Sequence, residues 1–473
     1  MTSLKDLKKG QHVHLMGICG TAMASLAGLL KDRGFKITGS DQNPYPPMST
    51  QLEKLGITIQ KGYQASNLTP KPDFVIIGNV ISKNNPEAEE CARLGLPYTS
   101  LPQALGEFVI DQRESIVIAG THGKTTTTSM MAWTTDVVGL KPGFLIGGIP
   151  KNYDFSFRNP GANHFVIEGD EYDTAYFDKV PKFVHYRPKH VIFTSCEFDH
   201  ADIYKDFDAV KSAFRRLMTL IPENGTLIYW GEDKNVAALG AECKAKKRFS
   251  YGIKSGDYRA ELISQDIKQK FYVQSPKGEK MGPFEIHMSG DYNLLNATAV
   301  IGLAEQSGWP MDKVTEALKT FQGVKRRQEI LGEPKGILVI EDFAHHPTAV
   351  RETIKGVKKQ YPQRNLFAVF EPRSATSRRK VFQKDYAEAF EGAEYICLAN
   401  AFDQTKIDTE NRFSSAELVA DLKAKNKNAK NFDTADEIVS YLGDNSKKGD
   451  LILIMSNGGF DGIYGKLLKR LEA

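Results

Sequence analysis

The sequence predicts an α/β protein of three domains, in which helices cover largely parallel sheets. Short runs rich in Val and Ile alternate with helical stretches along most of the chain, and buried parallel strands joined by helices give this pattern. The chain has 473 residues, which is too long for one ordinary core and corresponds to about three domains at ~150 residues each. Its content of 41% hydrophobic and 25% charged residues is that of a globular protein.

Ten runs are predicted to be strands because they are apolar, β-branched and bounded by turn residues. They are HVHLMG (12–17), KITGSD (36–41), DFVIIGN (73–79), SIVIAG (115–120), HFVIEGDE (164–171), HVIFTS (190–195), ILVIEDFA (337–344), NLFAVFEP (365–372), EYICLA (394–399) and DLILIMSN (450–457). The segment 251–289 combines alternation with turn residues, which predicts a small β insertion.

Two stretches divide the chain. LPQALGEFVIDQRES (101–115) is interpreted as a polar helix, after which the strand pattern begins again, and GVKRRQEILGEPKG (323–336) is a basic, glycine-flanked segment before another such restart. We therefore expect domains at residues 1–107, 108–324 and 325–473.

Composition excludes several classes of protein. The net charge of +4 is too small over this length to indicate a nucleic-acid or membrane surface, and no apolar run approaches the ~20 residues of a membrane span. The first residues, MTSLKDLKKG, lack a signal-peptide core. Five scattered cysteines argue against a disulfide framework and against paired CxxC zinc ligands. We expect a cytoplasmic protein that binds neither nucleic acid nor membranes, and the oligomeric state stays open.

A first glycine loop follows the first strand. It consists of Gly17, Ile18, Cys19, Gly20 and Thr21. Glycines at a strand-to-helix turn let the backbone approach a pyrophosphate, and the helix N-terminus supplies N–H donors. Asp41 ends the second strand, where it can accept from a ribose hydroxyl. Because Cys19 and Met23 stand at places where glycine is usual, a tight turn without a ligand is the alternative.

A second glycine loop joins SIVIAG to a Thr-rich helix. It consists of Gly120, Thr121, His122, Gly123, Lys124, Thr125 and Thr126. The first glycine of the usual P-loop pattern is replaced by Ile118, but strand, lysine, hydroxyl and helix are in order. Lys124 can reach outer phosphates, and Thr125 offers a hydroxyl to Mg²⁺. The loop predicts a nucleoside triphosphate site, with a Thr-rich helix cap as the alternative.

Ligands for Mg²⁺ are expected at the ends of neighbouring strands. Glu168 in VIEGDEYD and Asp199–His200 in CEFDHADIY follow apolar strand runs, at the edge where doubly wound sheets bind ligands. Mg²⁺ prefers oxygen, so His200 is about equally a ligand or a supporting histidine. Glu171 and Asp173 could be solvated acids on a turn.

Read in order, the motifs resemble those of the Mur ligase family, ATP-dependent enzymes that build the peptidoglycan peptide. They are GICGTAM, GSD, GTHGKTTT, EGDEYD, EFDHAD, GDYNLLNATAV, GVKRRQE and EDFAHHPTAV. The resemblance covers the whole chain. It implies an N-terminal Rossmann-like UDP-binding domain, a central P-loop ATPase-like domain and a C-terminal Rossmann-like peptide-binding domain.

Within the family, the chain is most similar to members that act in peptidoglycan recycling. They join UDP-N-acetylmuramate to the tripeptide L-Ala-γ-D-Glu-meso-diaminopimelate through an acyl phosphate. The similarity lies in four stretches, at 43–57, 171–188, 370–379 and 454–468. Members that add L-alanine to UDP-N-acetylmuramate are the alternative.

The resemblance also implies roles for individual residues. The first loop and Asp41 would hold the UDP part of UDP-N-acetylmuramate, and the second loop would hold ATP. Thr125, Glu168 and His200 would lie near Mg²⁺, and Lys124, Glu168 and His200 are the predicted catalytic residues. Further ATP-binding residues would be Asn293, Asn296, Arg327, Asp342 and His345, with His346 beside them.

Several of these assignments have plain alternatives. Asn293 and Asn296 could cap a helix, and Arg327 could belong to a solvated basic linker. Tyr292 stands where many relatives carry histidine. The region that carries a carbamylated lysine in some relatives reads VKSAFRRL (210–217), so carbamylation is not predicted.

A carboxylate of the diaminopimelate residue in the tripeptide would be bound best by an arginine that makes two hydrogen bonds to it. Arg373 in EPRSATSRR is the first candidate, although a loop arginine that pairs locally is about as frequent. Ser374, Thr376 and Asn457 are the other predicted peptide-binding residues.

Two other classes remain as rivals. A Rossmann oxidoreductase would explain the first loop but leaves the second without a role. A P-loop regulatory switch would explain the second loop, but the sequence has no guanine-reading motif.

Overall fold

The computed structural model describes residues 6–44, 46, 48–265 and 268–472. Residues 1–5 and 473, at the ends of two predicted domains, lie outside this range, as do positions 45 and 47 of the stretch 43–57 and positions 266 and 267 of the β insertion. The described residues form three main sheets. No helix in the described part is both long and apolar enough to cross a bilayer.

The first sheet is entirely parallel, in the order β3-β2-β1-β4-β5. Its strands are β1 (His12–Met16), β2 (Lys36–Asp41), β3 (Thr58–Lys61), β4 (Phe74–Ile77) and β5 (Tyr98–Ser100). Its helices are α1 (Thr21–Asp32), α2 (Met48–Lys54), α3 (Pro86–Arg93) and α4 (Leu101–Ala104). The side chain of Asn85 accepts from the Glu87 and Ala88 amides, and this cap with Pro86 fixes the start of α3.

The second sheet has ten strands, in the order β17-β16-β15-β14-β13-β12-β6-β9-β7-β8. Its strands are β6 (Glu114–Ala119), β7 (Gly143–Leu145), β8 (Phe157–Arg158), β9 (His164–Gly169), β12 (Pro188–Phe193), β13 (Thr226–Trp230), β14 (Lys247–Gly252), β15 (Tyr258–Gln265), β16 (Gln269–Gln274) and β17 (Lys280–Ile286), and β10 (Asp173–Ala175) and β11 (Asp178–Pro181) form a separate hairpin. Its helices are α5 (Lys124–Val137), α6 (Phe207–Leu220), α7 (Lys234–Ala241), α8 (Asp291–Gln306) and α9 (Met311–Thr320).

The third sheet has the order β18-β19-β23-β20-β21-β22, and only β18 runs antiparallel to its neighbour. Its strands are β18 (Glu329–Gly332), β19 (Leu338–Asp342), β20 (Leu366–Phe370), β21 (Tyr395–Ala399), β22 (Asn428–Phe432) and β23 (Leu451–Met455). Its helices are α10 (Pro347–Gln360), α11 (Gln383–Ala389), α12 (Ser415–Ala424), α13 (Ala435–Asn445) and α14 (Ile463–Glu472).

The predicted α/β class with three parts is confirmed, and each of the ten predicted runs contains a strand. The predicted β insertion is the antiparallel group β15, β16 and β17. The prediction of a helix in 101–115 is confirmed for residues 101–110, but the expectation that this helix is polar is wrong. This stretch forms α4 and a π-helical turn at Leu105–Ile110, and Leu101, Leu105 and Ile110 are buried. The exact domain limits stay a prediction.

The first and second sheets share a core. Helix α1 packs on β8 so closely that a Cβ at Gly28 would lie 2.1 Å from the Phe157 ring. The hydroxyls of Ser25 and Ser156 are 2.9 Å apart in the same contact. The two glycine loops therefore belong to one packed unit.

Candidate functional site

A cleft of about 830 Å³ lies where the parts built on the three sheets meet. The sequence-predicted residues that line it are Gly20, Thr21, Thr121, His122, Gly123, Lys124, Thr125, Thr126, Glu168, His200, Asn293, Asn296, Arg327, Asp342 and His345. Those that do not line it are Gly17, Ile18, Cys19, Asp41, Gly120, Arg373, Ser374, Thr376 and Asn457. The structure thus gathers the predicted ATP-binding residues except Gly120, together with Gly20 and Thr21 of the predicted UDP-binding residues, around one space.

The second glycine loop needs its glycines. At Gly120 φ is +135°, and a Cβ there would lie 2.3 Å from Thr194 Oγ1 and 2.7 Å from the Ser195 nitrogen. Gly123, at φ +81°, caps α5 without any side-chain cap hydrogen bond. Because no side chain satisfies the first amides of this helix, they can bind an anion.

Lys124 is held by acids at the cleft floor. Its Nζ donates to the Gly120 carbonyl at 2.6 Å and to Glu171 Oε2 at 2.9 Å, and Asp170 Oδ1 is 3.9 Å away. Burial acts to lower the pKa of Lys124, but Glu171 and Asp170 outweigh it, so the pKa is raised and the lysine is charged. A phosphate would compete with these carboxylates for the ammonium.

Thr125 and Glu168 meet, as the metal prediction requires. Thr125 Oγ1 donates to Glu168 Oε2 at 3.0 Å, and the Gly147 amide donates to Glu168 Oε1 at 2.6 Å. Burial, with help from Asp170, raises the pKa of Glu168. The hydroxyl of Thr125 and the carboxylate of Glu168 are oxygen ligands, which hard cations prefer. A bound cation would also stabilise the charged form of Glu168, which burial and Asp170 disfavour.

His200 lies beside a different acid. Its Nε2 is 3.6 Å from Glu171 Oε1, the carboxylate that also holds Lys124. Its backbone, at φ +54°, donates to Asp199 Oδ1 at 2.7 Å. Of the three predicted metal ligands, Thr125 and Glu168 are therefore in contact. His200 is instead next to Glu171.

Two of the predicted ATP-binding residues, Asn293 and Asn296, pack against the second loop. Asn293 Nδ2 donates to the Ser289 carbonyl at 2.7 Å, and Asn296 Nδ2 donates to Asn293 Oδ1 at 3.5 Å. A Cβ at Gly123 would lie 3.0 Å from Asn296 Oδ1. Both asparagines are buried, so they line the cleft and also support the loop.

Arg327 has no ion-pair partner among the residues that the structure describes, although it lines the cleft. Its guanidinium lies over the Phe343 ring, 4.6 Å from the centroid, and burial lowers its pKa. The carboxylate of Asp342 accepts hydrogen bonds from the backbone amides of Gln328 and Ala344, at 2.8 Å each. Asp342 and Glu168 act on the charge of Arg327 from beyond salt-bridge distance, so the guanidinium can still bind an anion in the cleft.

His345 borders the same part of the cleft. Its Nδ1 is 3.0 Å from the Phe343 carbonyl. Burial lowers its pKa, against the opposing effect of Asp199. The lowered pKa favours the neutral ring, whose Nδ1–H donates to the Phe343 carbonyl and whose Nε2 can then accept a hydrogen bond.

The first loop is held by Asp41. The carboxylate accepts from the Cys19 amide at 3.0 Å, and the Ser40 carbonyl accepts from the amides of Gly17 and Ile18 at 2.8 and 3.0 Å. The side chains of Ile18 and Cys19 are buried, so only their backbone can face a ligand. Burial, followed by the charge of Asp41, raises the pKa of Cys19 to about 12.

Beneath this loop lies a buried polar group that the sequence reading missed. His14 Nε2 and Glu87 Oε1 are 2.5 Å apart, and Ser40 Oγ donates to the same oxygen at 2.9 Å. All three side chains are fully buried. Ser40 therefore links this group to the loop through its own carbonyl.

The predicted peptide residues lie together outside the cleft. Arg373 Nη1 donates to Glu371 Oε1 at 3.1 Å, and its guanidinium stacks 3.7 Å from the Phe402 centroid. Ser374 Oγ accepts from the Ser377 amide, whereas Thr376 Oγ1 donates to Asp199 at 2.6 Å. Asn457 Oδ1 has no partner among the described residues.

Two cleft residues carry charge that the sequence reading did not assign. Lys182 Nζ is 3.0 Å from Asp170 Oδ2 and lies 4.1 Å from the Tyr172 ring centroid. Burial acts to raise the pKa of Asp170, but Lys182 and Lys124 together outweigh it, so the pKa is lowered. Asp170 lies inside the EGDEYD motif, where Glu168 is selected by its place at the end of a strand, and nothing in the sequence singles out Asp170.

Family profiles match three consecutive parts of the chain. They are described as "Mur ligase family, catalytic domain" at residues 12–113, "Mur ligase middle domain" at 118–304 and "Mur ligase, glutamate ligase domain" at 326–458.

Individual relatives extend over nearly the whole chain. UDP-N-acetylmuramate–L-alanyl-γ-D-glutamyl-meso-2,6-diaminoheptandioate ligase of Escherichia coli K12 is 39% identical over 97% of this chain and 98% of its own. UDP-N-acetylmuramate–L-alanine ligase of Desulfitobacterium hafniense is 32% identical over 94% and 97%. The crystal structure of a murein peptide ligase from Psychrobacter arcticus is 37% identical, covers 98% of this chain and 99% of its own, and gives a TM-score of 0.75.

Proposed function

This chain belongs to the Mur ligase family, and we propose that it is the ATP-dependent ligase that joins UDP-N-acetylmuramate to L-Ala-γ-D-Glu-meso-diaminopimelate in peptidoglycan recycling. The observation that carries the proposal is the full-length similarity to a ligase of that name, at 39% identity against 32% for an L-alanine ligase. The cytoplasmic location and a link to cell shape and division stay predictions.

A carboxylate does not condense with an amine in water unless it is first activated. In the proposed reaction the lactyl carboxylate of UDP-N-acetylmuramate attacks the γ-phosphorus of ATP, and ADP leaves. The amine of the tripeptide then attacks the acyl phosphate, and phosphate leaves from the tetrahedral intermediate. Both steps depend on positioning and on neutralising the phosphoryl oxygens.

Residues of the cleft fit these demands. Lys124, the uncapped start of α5 and the unpaired Arg327 supply positive charge around one space. Thr125 and Glu168 would hold Mg²⁺, which would neutralise phosphate charge. The Lys124–Glu171 pair would open when phosphate enters.

We keep Arg373 as the proposed partner of the diaminopimelate carboxylate. Phe402 and Glu371 fix its guanidinium from two sides, so it is positioned for a planar partner at its remaining N–H groups. Thr376, whose hydroxyl is engaged by Asp199, is better suited to joining the third sheet to the second than to binding peptide.

The proposal is tested by ATP-dependent phosphate release with UDP-N-acetylmuramate and either the tripeptide or L-alanine. Release with the tripeptide alone supports it. Release with L-alanine alone would keep the fold and the chemistry but assign the chain to the other branch of the family.

A further inference from the structure

Three metal-binding side chains meet where the second loop touches the C-terminal part. His122 comes from the loop, Glu197 from the segment after β12, and His346 from the N-terminal cap of α10. One ligand atom from each lies within 4.8 Å of the other two. His346 is buried, and the other two are partly buried.

The spacing of these atoms suits a tetrahedral ion. His122 Nε2 is 3.2 Å and His346 Nδ1 is 3.6 Å from Glu197 Oε2. Zn–N and Zn–O bonds of about 2.0–2.2 Å at tetrahedral angles put neighbouring ligand atoms about 3.3–3.6 Å apart.

The orientation of His346 presents a lone pair, and not an N–H group, to Glu197. Its Nε2 is 3.1 Å from the Phe198 carbonyl, which can only accept, so Nε2 carries the proton. Nδ1 is then a lone pair, and it accepts from the Thr348 amide at 3.3 Å. This lone pair also faces Glu197 Oε2, which accepts from Thr348 Oγ1 at 2.7 Å.

We propose that His122, Glu197 and His346 bind one transition-metal ion of the Zn²⁺ class, with a fourth position open to water. Two imidazoles and one carboxylate are a nitrogen-rich set that Mg²⁺ disfavours. The carbonyl behind His346 orients its ring as outer partners do in metal sites. The ion would tie the second loop to α10, and this inference does not depend on the proposed substrates.

The test is a Zn²⁺ titration of the metal-stripped full-length protein by calorimetry, without nucleotide or Mg²⁺. We expect one ion per chain, and a loss of affinity of more than about 10- to 100-fold in His346→Gln and in Glu197→Gln, because that is the loss when only an outer partner of a metal ligand is removed. The matched control is His287→Gln, which removes an exposed histidine 3.5 Å from Glu285 and should leave the affinity unchanged. Equal affinity in all four proteins, or no binding at all, would overturn the proposal.

A second measurement needs no variant and so does not depend on how the variants fold. Co²⁺ added to the unmodified protein should give the intense visible bands of a tetrahedral site, and Zn²⁺ should remove them. Weak octahedral bands alone would assign the bound ion to oxygen ligands and contradict the proposal.

Discussion

Two glycine loops in this molecule start helices at the ends of parallel strands, and they are held in opposite ways. The first is tied down by neutral backbone contacts and one carboxylate, since Asp41 and the Ser40 carbonyl occupy its amides. The second carries Lys124, which three carbonyl or carboxylate groups surround. Neither α1 nor α5 has a side-chain cap, so both helix starts can receive an anion.

The difference teaches what each loop can do. A preformed loop whose side chains are buried can hold a diphosphate but has no group to move toward a reacting phosphoryl. A loop whose lysine pairs with carboxylates can exchange that pairing for one with the phosphoryl oxygens as negative charge develops on them. We therefore propose that the first loop binds its ligand and that the second takes part in the chemistry, and the predictions below test this division.

The largest effect is expected from Lys124→Ala. Losing the buried ammonium should lower turnover by at least about 10²–10³-fold, while UDP-N-acetylmuramate binds as before. Phosphate release and calorimetry measure the two quantities. Lys179→Ala, which removes an exposed lysine paired with Asp173, is the control and should keep full turnover. Equal loss of turnover and UDP-sugar binding in Lys124→Ala would contradict the division.

The next effect separates the two loops by stability. Gly120→Ala should cost about 1–3 kcal/mol for its φ of +135° and about 1–3 kcal/mol more for overlap with backbone. Gly17→Ala, at φ +79°, would have the exposed Val80 side chain as its nearest contact, at 3.3 Å, and no backbone atom among its three nearest, so it should cost about 1–2 kcal/mol. Thermal unfolding of both variants measures the difference. If Gly17→Ala proved the more damaging, the first loop would be the more tightly packed one.

A moderate effect is expected from Asp41→Ala. Losing a charged acceptor for the Cys19 amide should cost about 1.5–3 kcal/mol, which weakens UDP-N-acetylmuramate binding about 10- to 100-fold and leaves ATP binding intact. Asp73→Ala is the control, because Asp73 holds the His12 amide at the far end of β1 at 2.7 Å. A loss of UDP-sugar affinity in both variants would mean that the loss comes from weakened folding.

The smallest effect concerns Cys19. A pKa raised from 9.0 to about 12 leaves about 10³-fold less thiolate at neutral pH than an ordinary thiol has. Alkylation of the native protein at Cys19 should therefore be slow at pH 8, and its rate should still be rising between about pH 9 and about pH 10, where the rate for an ordinary thiol levels off. Peptide mapping by mass spectrometry measures it. Rapid labelling at pH 8 would show that the loop opens.

Much of the fold could be predicted from the sequence because buried parallel strands are nearly continuous runs of Val, Ile and Leu. The strands that were not predicted are polar or short, such as β22 and β7. They form because each can hydrogen-bond to a neighbouring strand of its sheet, which the local sequence does not show. The helix in 101–115 was predicted to be polar because its buried Leu and Ile residues are spaced for a π-helical turn. The period of such a turn differs from that of an α-helix, so the buried face is hard to recognise in the sequence.

The site was readable only in part. Motif spacing located Lys124 and Thr125, since strand, loop and helix place them in fixed order. Lys182 and Glu197 could not be chosen, because their roles depend on neighbours far away in sequence, such as Asp170 and His346. The occupied hydroxyl of Thr376 was equally hidden, because its partner Asp199 lies in another part of the chain.

The division of labour between the loops is tested most directly by one calorimetric experiment on two variants. UDP-N-acetylmuramate and a non-hydrolysable ATP analogue are each titrated into Lys124→Ala and Asp41→Ala. The account predicts that the first variant loses affinity for the ATP analogue alone and the second for the UDP-sugar alone. If both variants lost affinity for the same ligand, the two loops would serve one nucleotide, and the account would be wrong.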